Sequence, residues 1–191
     1  MVQKRNNLQL TIIELLLKAD NHVRGIAKTL EESHSTVSRK LSNLKKENVI
    51  DSRNEGKNKI YFLKSNLISK SYILQAELHK LTKLLLHHQE LEIIFEDILK
   101  NTDEKLIVLF GSYAKNLAKK NSDIDIYIDT KNRAVKRSIE EIHSKISVKI
   151  GTFDFTSPLV REIVKDHVIL RGVEVFYEKV GDFRGTTSLT N

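Results

Sequence analysis

The sequence predicts an α+β chain of two domains joined by a helical segment, and three observations carry that reading. Residues 1–65 hold three stretches with apolar residues at helical spacing, followed by two β-like runs around Gly56. Residues 66–101 contain neither proline nor glycine and read as helix. Residues 102–180 alternate β-like runs with helical stretches, the pattern of a small α/β unit with a mixed sheet, and residues 181–191 read as a loose, flexible tail.

Composition sets the outer limits. A chain of 191 residues suffices for one large or two small domains. A hydrophobic share of 40% and a charged share of 30% belong to a globular chain, not a disordered one. The absence of cysteine excludes disulfides, thiolate zinc sites and thiol catalysis. The apolar runs fall short of a membrane span and the N-terminus lacks the hydrophobic core of a signal peptide, so a cytoplasmic location with no membrane partner is expected. The net charge of +7 is uneven: residues 1–66 carry 13 Lys and Arg against 7 Asp and Glu, residues 67–102 carry 4 against 5, and residues 103–191 carry 15 against 13. The basic excess lies in the first third, which points to an anionic partner there.

In that third, an amphipathic helix over about Leu8 to Lys18 precedes a second over Val23 to Glu31, with Val23, Ile26, Ala27 and Leu30 at helical spacing. Ser33 can cap a third helix running to about Glu47. Val37, Leu41 and Leu44 form its inward stripe, leaving Ser35, Arg39, Ser42 and Lys46 opposite and Thr36, Ser38 and Asn43 at the flanks. Small hydroxyl residues with Arg suit a major groove, where they approach base edges and donate to phosphates. The runs 49–53 and 59–63, around a turn over Asn54–Asn58, form a hairpin whose Arg53, Lys57 and Lys59 can rest on the phosphate backbone. Residues 8–64 resemble the winged helix-turn-helix domains of the ArsR and MarR regulator families, chiefly through Ser33 to Leu41 and the hairpin behind it. Double-stranded DNA is the partner this implies, with Ser35, Thr36, Ser38, Arg39, Ser42, Lys46, Arg53, Lys57 and Lys59 as contacts. A basic docking module for protein is the alternative.

Along 66–101, Leu74, Leu78, Leu81 and Leu85 make a short seam of about two heptads. It reads either as packing against the same chain or as a dimerisation segment. A homodimer is expected, because two-fold pairing presents two recognition helices to successive major grooves. Leu91, Ile94, Phe95 and Ile98 form a second stripe, suited to packing on the sheet that follows.

That sheet begins with the apolar run Leu106–Phe110. Gly111-Ser112 follows at once, and ten residues further on comes Asp123-Ile124-Asp125. Ile124, Ile126 and Ile128 alternate with Asp123, Asp125 and Tyr127, so a strand here turns both aspartates to one face and the isoleucines to the core. Paired acids completed by phosphate oxygens suit Mg2+, with Mn2+ as a substitute. Metal-assisted phosphoryl or nucleotidyl transfer is the chemistry this suggests. Gly111 to Asn116 together with Ser122 to Asp125 resembles the signature of the minimal nucleotidyltransferases of the DNA polymerase β-like superfamily: Gly-Ser, a short helix, Asp-x-Asp, and a third acid on a later strand. The resemblance covers roughly residues 103–180. It implies that Asp123, Asp125 and Asp154 hold two Mg2+ ions, and that Gly111 and Ser112 bind the triphosphate of an NTP such as ATP. Where the family usually has a glycine six positions into the motif this chain has Asn116, the non-glycine residue best suited to a left-handed backbone. Tyr113 and Lys115 read equally as contacts to phosphate or base and as ordinary residues of a short helix.

The remaining elements complete an α/β unit: a helix over Asn132–Ile146, a strand over Ser147–Phe155 bearing Asp154, a helix from Pro158 to about Lys165, and a last strand over Val173–Tyr177. Two parallel-type strands, covering helices and a closing strand are expected. The seven histidines show no ligand spacing, and Asp154 is a candidate base for the attacking hydroxyl. The whole reads as a DNA-binding protein with a metal-dependent nucleotidyltransferase domain acting on a hydroxyl, for which a macromolecular acceptor such as a protein encoded nearby is expected. The competing reading is a transcriptional regulator that senses a nucleotide without turnover.

Overall fold

A computed structural model of the chain describes residues 2–181, with side chains from Asn7 onward; the expected tail beyond Gly181 lies outside the described residues. The chain divides into two compact units between His79 and Lys80.

In the first unit, α1 (Val2–Lys18) buries Ile12, Ile13 and Leu16 completely. A two-residue strand, β1 (Asn21–His22), leads into α2 (Val23–Leu30), which buries Ile26 and Ala27. Glu31 then takes a left-handed conformation, φ 53°, and turns the chain towards α3 (His34–Lys46). Ser33 caps α3 as its position suggests, its hydroxyl accepting from the Thr36 amide at 3.1 Å. Val37, Leu41 and Leu44 are fully buried, so the inward stripe is the one the spacing gives. The hairpin of β2 (Ile50–Glu55) and β3 (Asn58–Leu63) is tighter than the sequence suggests: Glu55 pairs with Asn58, leaving a two-residue turn at Gly56-Lys57 in place of a loop over Asn54–Asn58. The strand β1 adds to the free edge of β3, giving a three-stranded antiparallel sheet of order β1-β3-β2.

The helical stretch is broken. It forms α4 (Leu67–His87) and α5 (Glu90–Lys100), with His88 and Gln89 between them. The start of α4 is tied to the first unit, where Ser69 Oγ donates to the Val49 carbonyl and Tyr72 Oη to Glu47 Oε2 at 2.6 Å. That carboxylate holds the Tyr72 phenol up at about 12. The end of α4 and all of α5 serve the second unit, whose core takes in Leu84, Leu91, Phe95 and Ile98. Residues 66–101 are therefore shared between the units. The four-leucine seam is divided as well: Leu81 and Leu85 pack against the second core, while Leu78 is 59% exposed.

The second unit is built on a four-stranded mixed sheet of order β6-β5-β4-β7. Strand β4 (Ile107–Phe110) is buried at every residue and runs into a single helical turn, α6 (Gly111–Ala114). Strand β5 (Ile124–Asp129) lies antiparallel to β4, with Phe110 opposite Asp125. Helix α7 (Arg133–Glu140) is shorter than expected, because the Asn132 side chain caps its start and Ile146 already begins β6 (Ile146–Gly151). Strands β5 and β6 are the parallel pair. Helix α8 (Pro158–Lys165) opens on proline as its position suggests.

The closing strand is displaced. It is β7 (Val168–Arg171), paired with β4, whereas Val173–Tyr177, read as a strand, forms helix α9 (Val173–Val180). Gly172 explains the change: its φ is +87°, and a Cβ there would run into the Lys105 carbonyl, so the chain must turn sharply at that point. Phe176 and Tyr177 are then both buried, an arrangement one face of a helix achieves more readily than a strand's alternating faces. Tertiary packing thus overrides the β preference of Val173, Val175 and Tyr177.

Ile126 lies in the middle of the central pair of strands with no exposure. Ile126→Ala is expected to cost about 2–5 kcal/mol, read as a shift of the urea midpoint.

Candidate functional site

Phe110 ends β4 and Gly111 turns the chain at φ +72°. A Cβ on Gly111 would collide with the Asp125 carboxylate of the paired strand and would be strained at this φ, so glycine is strongly favoured here. The turn α6 closes through Lys115 N donating to the Gly111 carbonyl at 3.1 Å and Leu117 N to the Ser112 carbonyl at 2.9 Å. Asn116 adopts φ +56°, the left-handed conformation for which asparagine is suited when glycine is absent. Gly111 and Ser112 therefore stand against the first residues of β5 as their spacing implies.

Asp123 precedes β5 and is exposed; Asp125 is half-buried within it. Burial raises the Asp125 carboxyl above its ordinary range and repulsion from Asp123 adds to this, while Lys149 and Lys115 pull the other way. Lys115 is held by Glu162 of α8, Nζ to Oε1 at 2.6 Å, which raises the ammonium above its usual value. Tyr113 is buried, with His88 edge-on at 5.0 Å.

Asp154 does not join this pair. Strand β6 stops at Gly151, where Thr130 bridges to it, and the chain then follows Phe153 into an aromatic cluster with Tyr127, Phe155 and Phe176. The Phe153 amide also donates to Asp129 Oδ1 at 2.9 Å. With Phe153 anchored inward, Asp154 turns outward, and its Oδ1 accepts from the Thr156 amide at 2.9 Å, which lowers its carboxyl below the usual range. Among the described residues no group of three or more His, Asp or Glu side chains is placed to hold a metal ion. Asp123, Asp125 and Asp154, expected together from the resemblance, therefore do not form such a group among the described residues. What remains, Asp123 and Asp125 beside Gly111, is a carboxylate pair of the kind that suits one divalent ion completed by phosphate oxygens and water.

On the first unit, Ser35, Ser38, Arg39, Ser42 and Lys46 lie on the exposed side of α3. Thr36 is partly covered, and its hydroxyl accepts from Ser33 at 2.8 Å as part of the cap. Lys57 forms the hairpin turn, and Lys59 Nζ lies 5.7 Å from the centroid of the Tyr61 ring. Arg53 is engaged elsewhere: its guanidinium bonds Asp20 at 2.6 Å and Glu55 at 2.7 Å. The Asp20 pairing, which spans 33 positions, leaves no local mark in the sequence, nor do Glu162 and Lys149 near Asp125, because each depends on tertiary placement.

Comparison with protein families agrees with this division. The model described as "Bacterial regulatory protein, arsR family" matches residues 6–52, and the model described as "Nucleotidyltransferase domain" matches residues 89–171. The match to the second begins at α5, which packs in the core of that unit. No curated protein matches the chain. No helix among the described residues is long and apolar enough to cross a membrane.

Two substitutions probe these surfaces. Gly111→Ala is expected to lower stability by about 1–3 kcal/mol and to push Asp125 aside, seen in calorimetry as loss of Mg2+-dependent NTP binding. Arg39→Ala is expected to weaken duplex binding at low salt by about 1 kcal/mol or more in fluorescence anisotropy, with Arg53→Ala costing distinctly less. Equal losses would place Arg53 in the contact.

Proposed function

We propose that this fusion of an arsR-family helix-turn-helix domain with a nucleotidyltransferase domain binds double-stranded DNA and transfers a nucleoside monophosphate from an NTP to a hydroxyl, releasing pyrophosphate. The observation that supports the transfer is the juxtaposition of Gly111 with Asp125: the carboxylate lies where a side chain at 111 would stand, so the acid sits directly against the backbone that opens the Gly-Ser turn. Asp123 and Asp125 would hold Mg2+ or Mn2+, which when bound neutralises phosphate charge and polarises the phosphorus under attack. Gly111 and Ser112 would bind the triphosphate through backbone N–H groups and the hydroxyl, fixing its orientation for in-line attack. The domain is small and leaves little room for an acceptor pocket of its own, which supports a macromolecular acceptor, including a protein encoded nearby.

On the DNA side, α3 would enter the major groove with Ser35, Ser38, Arg39 and Ser42 towards the bases, while Lys46, Lys57 and Lys59 meet phosphate. Homodimerisation would set two such helices at the spacing of successive grooves.

One observation favours a second reading, a regulator that binds a nucleotide as a signal without turnover. Asp154, the acid that would complete the catalytic set and take the proton of the attacking hydroxyl, is bound in its own turn.

The test is incorporation from each of four α-labelled NTPs with Mg2+ or Mn2+ in lysate of the source cells, against the double variant Asp123→Ala, Asp125→Ala. Label on a discrete product that the double variant abolishes is the expected result. Nucleotide binding without label, together with DNA affinity that changes with nucleotide and loses that response in Asp125→Ala, would establish the sensor.

A further inference from the structure

Strand β6 runs parallel beside β5, with Asp125 opposite Ser147 and Tyr127 opposite Lys149. Partners across a sheet share a face, so the face that carries Asp125 continues onto β6 as Ser147, Lys149 and Gly151. None of these is an acid. The charged member is Lys149, which is exposed, and its ammonium acts on the Asp125 carboxyl in the sense opposite to Asp123. The next acid along the chain, Asp154, lies beyond the end of the strand.

A fixed positive charge at this place has two consequences. It repels a second divalent ion, for which the described residues form no group of three ligating side chains. It also offers phosphate oxygens the compact, rotatable donor that lysine supplies. Lys149 thus brings, on the neighbouring strand, part of the positive charge a second ion would bring.

We propose that Lys149 is a phosphate-binding residue of the nucleotide site, standing in for a second metal ion, so that the domain binds its NTP with a single divalent cation. This rests on the nucleotide-site reading above and narrows it.

The experiment uses the full chain and whichever of the four NTPs binds it most tightly with Mn2+. The bound ions are counted by electron paramagnetic resonance, and affinity is measured by calorimetry with and without the metal. One Mn2+ per bound nucleotide is expected in the wild type. Lys149→Ala is expected to weaken binding about tenfold, including in the absence of metal, without altering that count, and Lys149→Arg to restore most of the affinity. Two ions per nucleotide in the wild type, or unchanged affinity in Lys149→Ala, would overturn the proposal. Lys149 is exposed, so its variants are expected to fold, and an unchanged circular dichroism spectrum verifies it. Binding lost in Asp125→Ala but untouched in Lys149→Ala would remove the lysine's role alone, whereas a wild type that binds no NTP would remove the nucleotide site and the proposal together.

Discussion

The second unit depends on the two faces of β5. Ile124, Ile126 and Ile128 join the core with Leu91, Phe95 and Ile98 on one side, which fixes the strand's register. A slip by one residue would drive Asp125 into that core and turn the isoleucines to the opposite face. Hydrophobic burial thus positions Asp125, even though that residue contributes little to it. The antiparallel partner β4 then delivers Gly111 against the carboxylate, since Phe110 faces Asp125 in the ladder. One paired strand and one glycine are sufficient to bring the backbone of the turn against the carboxylate.

The same alternation makes this part of the molecule legible in the sequence. A period of two needs no tertiary information, and Gly-Ser at a fixed distance from Asp-x-Asp constrains the connection between the strands. The capped recognition helix is legible for a similar reason: Ser33 and the Val37, Leu41, Leu44 stripe are local features. Asn116 reads correctly as a left-handed position because its conformational preference is intrinsic.

What escaped the sequence lay in long-range competition. The Phe-Asp-Phe segment resembles the end of a strand, yet Phe153 is drawn among Tyr127 and Phe176, and that packing settles where Asp154 points. The run Val173–Tyr177 has the composition of a strand, yet the neighbour place beside β4 is taken by Val168–Arg171 and the turn at Gly172 redirects the chain. The break at His88-Gln89 carries no proline or glycine to announce it. In each case the residues have two acceptable local conformations, and contacts from distant positions choose between them.

The pairing of Arg53 with Asp20 and Glu55 bears on how the basic excess of the first third is counted. Lys45 is similarly occupied, lying 2.7 Å from Asp51. A cation already neutralised by the protein releases few counterions from DNA when it approaches a phosphate. The thermodynamic charge the first third could offer a duplex is therefore smaller than its tally of Lys and Arg. Association with nucleic acid would then lean less on ionic strength than the composition implies, and more on the fit of a helix face rich in serine.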